Sequence, residues 1–295
     1  MKKPGLSWIL LIALSLVWGS SFILMKLGMR AFSSDEVAAL RISLAFLSLS
    51  PFLMIHFKRL SFKKNWRGLV LMGVFGNLIP AFLFTKAETQ ISSSLTGMLN
   101  ALTPLFTVLI GFFVFKNPIH KIKIVGLLIA LAGTVCLLSF GEGSESSKNL
   151  YYSLLVVAAT LFYASSVNGI RYYLHNINSF TAAVWSFSLI GPLSILYLFF
   201  CTDFVTHFSQ HEYGLSSFGY ICILAIVGTA IAVTVFNYLI KLSGTIFASS
   251  CTYLMPIVAI IWGIIFNEPV TTIQILSMAV IILGVWLINK KIQDA

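Results

Sequence analysis

Apolar runs of about 20 residues recur from one end of this chain to the other. Each is long enough to cross ~30 Å of hydrocarbon as a helix rising ~1.5 Å per residue. Ten can be drawn, over 6–27, 36–56, 66–85, 92–115, 122–140, 150–170, 180–200, 217–239, 246–266 and 272–289. They occupy roughly 200 residues at ~20 each, and the connections between them are too short for a folded soluble domain. In lipid a lone segment must satisfy its own backbone hydrogen bonds, so the runs are read as helices, and the alternation of a barrel strand is absent. Only 9% of residues are charged, whereas a soluble domain carries about 25%. The chain therefore cannot cover a water-facing surface, which excludes a soluble enzyme, a secreted disulfide scaffold and a nucleic-acid binder. Met1-Lys2-Lys3 before an apolar run has the opening of a signal peptide, but the run continues through Phe22 to Leu27 and is read as a first span.

The net charge of +10 has a topological explanation. With a cytoplasmic N-terminus, Lys26, Arg30, Arg41, Lys86 and Lys148 fall at outside ends of spans, and the remaining 14 of the 19 basic residues fall inside. That excess is the positive-inside pattern, so both termini are expected in the cytoplasm. Cys136, Cys201, Cys222 and Cys251 lie in or at the ends of apolar runs without C-x-x-C spacing, which indicates neither a zinc site nor a disulfide framework.

The chain also repeats itself. A shift of 152 residues pairs Gly76 with Gly228, Phe84 with Phe236 and Pro104 with Pro256. A shift of 151 pairs Pro118 with Pro269 and Gly133 with Gly284, and Lys26 stands opposite Arg171. Pro51 near the end of span two matches Pro192 in span seven. Five helices per unit is an odd number, so the second copy enters the membrane upside down, the inverted-repeat plan of many secondary transporters. The units are 1–140 and 150–295, joined by an external linker at 141–149.

The phrase Leu16-Val17-Trp18-Gly19-Ser20-Ser21-Phe22, Arg41 at the start of span two, Pro104, Pro256 and Asn267-Glu268-Pro269 together resemble the drug/metabolite transporter superfamily, EamA type. The resemblance covers 6–140 and 150–289. It departs at Phe115-Lys116-Asn117-Pro118, where the family often has an acid before the turn proline. It implies ten helices, a central cavity between the halves, and export or exchange of small metabolites.

Candidate site residues follow from side-chain chemistry in lipid. Pro80, Pro104, Pro192 and Pro256 sit within spans, where each frees a carbonyl that must face protein or a watered cavity. The symmetric pair Pro104 and Pro256, with Pro80, marks helix kinks or gates; packing kinks are the alternative. Asn77, Asn100, Thr103, Ser166, Asn168 and Asn237 are polar residues within spans and should face the bundle interior. They are either interhelical glue at about 0.6 kcal/mol each or a substrate-binding lining. With Trp18, Tyr163, Tyr253 and Trp262 they suggest an aromatic-and-amide cavity, although Trp and Tyr also serve as interfacial anchors. Spans one, three, four, six, eight and nine are expected to line the pathway. Spans five and ten are apolar around Gly126, Gly133 and Gly284, which suits close packing.

No Asp or Glu lies deep in any span, which disfavours carboxylate-dependent cation export. Glu88 is read at a span edge, and Glu268 as capping the start of span ten. Lys26, Arg41 and Arg171 are read as snorkelling flank residues, with Lys26 and Arg171 also candidate gates at opposite mouths; through these three an anion route stays open. His207 and His211 beside Glu212 fall in an external loop at 202–215 and lack the HExxH pattern, so no metal site is expected. No phosphate loop, nucleophile elbow or EF-hand pattern is present, so no cofactor is expected either.

The expected function is a secondary transporter of a small neutral or zwitterionic metabolite, not an enzyme. Its partners would be membrane lipid and the solute, with no nucleic acid, and a monomer in a bacterial inner membrane. The alternative is an integral-membrane enzyme acting on a lipid, which would need acid–base groups converging near one interface. The histidines are scattered over loops on both sides, and the repeat has no use in such an enzyme.

Overall fold

The computed structural model describes residues 4–53, 62–116, 121–140 and 147–289. Among them all regular structure is helical. The elements are α1 (Pro4–Gly28), α2 (Ser34–Leu49), α3 (Phe62–Ala87), α4 (Ser93–Asn100), α5 (Thr103–Phe113), α6 (Lys121–Phe140), α7 (Ser147–Tyr173), α8 (Ser179–Phe200), α9 (Phe204–Gln210), α10 (Gly214–Ser243), α11 (Thr245–Ser249), α12 (Cys251–Ile265) and α13 (Thr272–Asn289). Among the described residues eight helical segments are long and apolar enough to cross a membrane, counting α4–α5 and α11–α12 each as one. Two shorter helices pack with them: the apolar stretch Thr272–Ile288 against α6 and the 16-residue α2 against α8.

Local chemistry sets the boundaries. At α2 the Ser33 hydroxyl accepts from the Glu36 amide (3.3 Å), while the Glu36 carboxylate accepts from the Ser33 amide (2.7 Å). This reciprocal box satisfies two donors that a helix start otherwise leaves open. Pro51 follows α2 directly in a short 3₁₀ turn, the chain is α-helical again at Leu53, and positions 54–61 lie outside the described residues.

Two helices widen into π turns, α3 over Leu71–Leu78 and α10 over Ile226–Ile231. Each holds one of the paired glycines, Gly76 and Gly228. Beside each glycine a side chain donates to the carbonyl five residues earlier: Asn77 to Met72 (2.8 Å) and Thr229 to Leu224 (2.9 Å). A π turn inside an α-helix is uncommon and often lies at a functional site.

The spans drawn as continuous at 92–115 and 246–266 are each broken. The chain leaves the helix at Ala101–Leu102 before Pro104, and at Ser250 six residues before Pro256. Pro104 thus sits in the first turn of α5, where its missing N–H costs little, while Pro256 lies inside α12. Pro80 occupies the first turn of the α-helical part of α3 after its π turn, and Pro192 stays inside α8.

The packing is regular. α1 lies against α12 and α10, α7 against α5 and α3, α2 against α8, and α6 against α13. α6 and α13 approach so closely that a Cβ on Gly126 or Gly284 would strike the other helix's backbone. Apolar side chains fill two clusters, with Trp18, Leu44 and Phe82 packed against both. The outer surface carries exposed Trp8, Leu128, Phe199 and Leu283, as a lipid-facing surface should.

Candidate functional site

A cavity of ≈ 90 Å³, counted as space for the centre of a water molecule, lies inside the bundle. It is lined by α1, α3, α4, α5, α7, α10, α11 and α12, and by one residue of α2, Arg41. Of the ten residues named from sequence as binding candidates, seven line it: Trp18, Asn77, Asn100, Thr103, Tyr163, Ser166 and Asn237.

These side chains are held from behind. The Trp18 indole donates to the carbonyl of Gly228 at the π turn of α10 (2.9 Å), and its ring meets Phe236 edge-on at 4.9 Å. Tyr163 stacks on Phe84 at 5.6 Å, and Phe84 in turn meets Phe22 at 5.9 Å, which makes one continuous aromatic wall. Asn100 and Asn237 each point an amide N–H at a methionine sulfur, Met255 at 3.6 Å and Met72 at 3.5 Å. Thioether sulfur is a weak acceptor, so neither amide is strongly bound. The Asn237 Oδ1 has no hydrogen-bond partner among the described residues.

Three candidates lie elsewhere. Asn168 donates to the carbonyls of Thr107 and Ala164, both at 3.0 Å, and joins α7 to α5. Tyr253 donates to the carbonyl of Val285 (3.3 Å) and faces α13. The Trp262 indole donates to the Ser20 hydroxyl (2.8 Å) between α12 and α1. None of the three lines the cavity, because each sits on a helix face turned to a neighbouring helix. Pro80, Pro104 and Pro256 are buried but stand outside the lining as well.

Beyond one end of the cavity, where α1, α3 and α12 finish and α2 and α4 begin, lies a group of charges. The Lys26 ammonium meets the Glu268 carboxylate at 3.2 Å and donates to the Ile91 carbonyl at 3.4 Å. Glu268 does not cap α13, which starts only at Thr272. Instead it reaches across to the start of α4 and accepts from the Ser93 amide (3.1 Å) and hydroxyl (2.8 Å) and from the Ser94 amide (3.1 Å) and hydroxyl (3.0 Å). A carboxylate at a helix start satisfies open N–H groups and meets the positive end of the helix dipole. Burial works against ionisation of Glu268, but Lys26 and the Ser93 and Ser94 donors outweigh it and hold its carboxyl below the usual range.

Glu88, read from sequence as a loop-edge residue, is buried at 2% exposure, and neither carboxylate oxygen has a hydrogen-bond partner among the described residues. Burial pushes its carboxyl well above the ordinary range, against the pull of Lys26 and with a further push from Glu268. At the same end the segment 202–215 contains the helix α9 rather than only loop, and His207 Nδ1 contacts the Glu36 carboxylate at 2.9 Å. At the opposite end Arg171 is exposed, away from the cavity lining, and donates to the Thr245 hydroxyl at 3.3 Å. Neither Lys26 nor Arg171 lines the cavity.

Arg41 corrects the sequence reading most. It does not snorkel. It is 8% exposed and lines the cavity. Its Nε donates to the Thr229 hydroxyl at 2.8 Å, on the π turn of α10, and one terminal nitrogen faces Met25 Sδ at 3.8 Å.

The apolar helices and the cavity they enclose, with aromatic walls and a few fixed polar groups, define a multi-pass membrane protein with an internal pocket. The chain belongs to the EamA-like transporter family, whose model matches residues 5–139 and again residues 150–290. It is 26% identical over 282 residues to the uncharacterized inner membrane transporter YedA of Escherichia coli K12, covering 95% of this chain and 89% of that one. An uncharacterized transporter of Archaeoglobus fulgidus is 25% identical over 292 residues, covering 99% and 100%. A chloroplastic WAT1-related protein of Arabidopsis thaliana is 25% identical over 298 residues, covering 96% and 69%. The fold matches a protein crystal structure with a TM-score of 0.68 at 17% identity, covering 96% of each chain. The family and the names of these relatives indicate a multi-pass membrane transporter.

Proposed function

We propose that this protein is a secondary transporter that exports or exchanges a small metabolite by alternating access. Ten spans form two inverted five-helix units, 1–140 and 150–295, with 141–149 as an external linker and both termini cytoplasmic. The membrane is a bacterial inner membrane, as for the relative named YedA.

The observation that carries this reading is the cavity itself, to which both units contribute: Trp18, Asn77 and Asn100 from the first, Tyr163, Ser166 and Asn237 from the second. Rocking one unit against the other around such a site exposes it to each side in turn. The duplicated features support the plan. α1 packs on α12 as α7 packs on α5, and the sequence mates Lys116 and Asn267 share a left-handed backbone, with φ of 53° and 55°. That conformation is uncommon outside glycine, so its recurrence at matched turns reflects a repeated structural requirement.

Asn77, Asn100, Thr103 and Asn237 fix the polar atoms of a neutral or zwitterionic solute, and Trp18, Tyr163 and their aromatic neighbours hold its apolar body. Comparing the metabolites released into medium by overexpressing and deletion cells tests the reading. One or a few small metabolites should accumulate outside in proportion to expression, and Asn100→Leu should abolish the difference. Identical media from the two strains would refute export.

A further inference from the structure

Among the described residues that line the cavity, Arg41 alone is charged. Its guanidinium cannot release its proton at any physiological pH, and it is almost wholly withdrawn from water. A buried charge is strongly unfavourable unless it is paired and hydrogen-bonded. Yet the groups that touch Arg41 are neutral: the Thr229 hydroxyl, the Met25 sulfur and the Tyr163 hydroxyl. Among the described residues, no carboxylate lies within ion-pair distance of it.

Neither Glu268 nor Glu88, two of the acids at the Lys26 end, pairs with Arg41. Glu268 is committed to Lys26, Ser93 and Ser94. Among the described residues Glu88 accepts no hydrogen bond, and its burial favours the neutral acid against the longer-range pull of Lys26 and of Arg41 itself. Lys26 and Glu268 cancel, Glu88 adds nothing when protonated, and one positive charge remains, inside the cavity.

Resting on the transport reading given under the proposed function, we infer that the solute carries a single carboxylate, which pairs with the Arg41 guanidinium when the cavity is filled. A planar carboxylate matches the guanidinium fork with two parallel hydrogen bonds. One carboxylate neutralises one charge, whereas a phosphate dianion would leave an excess negative charge in an apolar space. The part of the solute beside that carboxylate is apolar, because the wall beside Arg41 is Phe22, Phe84 and Tyr163 in continuous ring contact. The ammonium of a zwitterion is left to the lining amides such as Asn237, whose Oδ1 has no hydrogen-bond partner among the described residues. Thr229 is a positioning residue: its hydroxyl accepts from Arg41 and donates back into the π turn of α10. It thereby ties the charge of the first unit to the second.

The test uses Thr103→Cys in a full-length protein whose four native cysteines are replaced. Labelling rates are measured for the anionic sulfonatoethyl and the cationic trimethylammonioethyl methanethiosulfonates, each normalised to its rate with free cysteine. The expected ratio favours the anion by about tenfold, the effect of one nearby charge worth ~1.4 kcal/mol. Arg41→Gln should abolish the preference and Arg41→Lys should keep it, in protein that elutes as a folded species. A cationic reagent as fast as the anionic one overturns the inference and leaves the cavity standing. Failure of a small neutral maleimide to label folded Thr103→Cys protein overturns the cavity reading, and this inference with it. In a second arm, monocarboxylates of increasing chain and ring size, with their primary amides, compete against maleimide labelling. Acids should slow it where amides do not; equal effects, or none across the series, overturn the inference.

Discussion

The two ends of the bundle share a backbone and differ in charge. At one end Lys26 meets Glu268, which also holds the start of α4 through Ser93 and Ser94. At the other, the sequence mate of Lys26 is Arg171, and the helix start opposite it is Thr245, the mate of Ser93. Arg171 donates straight to the Thr245 hydroxyl at 3.3 Å. The difference lies at one matched position: Glu268 pairs with Asn117, an amide outside the described residues. Both turns keep the left-handed residue before that position, Lys116 and Asn267. The left-handed residue recurs at both positions and only one of them is followed by an acid, so the Lys26 end is held by a charged contact. The Arg171 end is joined there by a charged-to-neutral hydrogen bond. An imbalance of this kind sets which side of a two-state protein is closed at rest.

Removing the clamp should have the largest effect. Glu268→Ala withdraws the ion pair and four hydrogen bonds to α4, and since Lys26 is partly solvated the loss should be about 2 kcal/mol. The melting temperature in detergent should fall, and a thiol at Thr103 should label faster from the Lys26 side. Glu268→Gln keeps an acceptor for Ser93 and should recover part of the loss. If Glu268→Ala leaves both readouts unchanged, the contact is not a clamp.

Copying the acid to the other end should sharpen the comparison. Asn117→Glu offers Arg171 a carboxylate where the duplicated turn has one, and an exposed pair of this kind contributes roughly 0.5 kcal/mol. A thiol at Ser249 should then label more slowly from the Arg171 side, by about twofold. Faster labelling would mean that the matched turns do not place their side chains alike.

Two carboxyl groups at the Lys26 end predict opposite pH effects. Glu268 titrates below its ordinary 4.5, so its contribution is present above that value and lost as pH falls through its folded pKa. Glu88 titrates well above 4.5, so its contribution is full below that value and lost as pH rises through its folded pKa. Melting temperatures of wild type and Glu88→Gln should therefore converge in acid and separate in alkali, with Gln the more stable there. Transport should persist in Glu88→Gln, because the substitution keeps the shape of the neutral acid that burial favours. Parallel curves across the pH range would contradict this. The smallest effect is at His207, whose side chain is 40% exposed. His207→Ala should cost under about 1 kcal/mol, visible as a small drop in melting temperature.

Much of this fold is written in hydrophobicity alone. The runs 122–140, 180–200 and 272–289 fall within a residue of α6, α8 and α13, because a lipid-spanning helix advertises its length directly. The π turns of α3 and α10 left only the paired Gly76 and Gly228 as a trace. The break at Ser250 left none at its own position, since Pro256 lies a full turn and more beyond it. Within the site, Trp18 and Trp262 read alike from sequence. One faces the cavity and the other faces Ser20, and in a helix apolar all round no periodicity separates the faces. Arg41 misled for a related reason. Seven residues from the start of α2 it could reach the headgroups, and only the packing of α10 shows Thr229 waiting for it inside. Glu268 was assigned to the nearer helix in sequence, when its donors lie 175 and 174 residues away.

The central claim is that one cavity between two units is presented to each side of the membrane in turn. The direct measurement is the labelling of a single thiol at Thr103 by a membrane-impermeant maleimide in right-side-out and in inside-out vesicles. The account predicts labelling from both sides, with Glu268→Ala shifting the balance toward the Lys26 side and Asn117→Glu shifting it the same way. Labelling from one side alone in transport-competent protein, unmoved by either substitution, would contradict alternating access around this site.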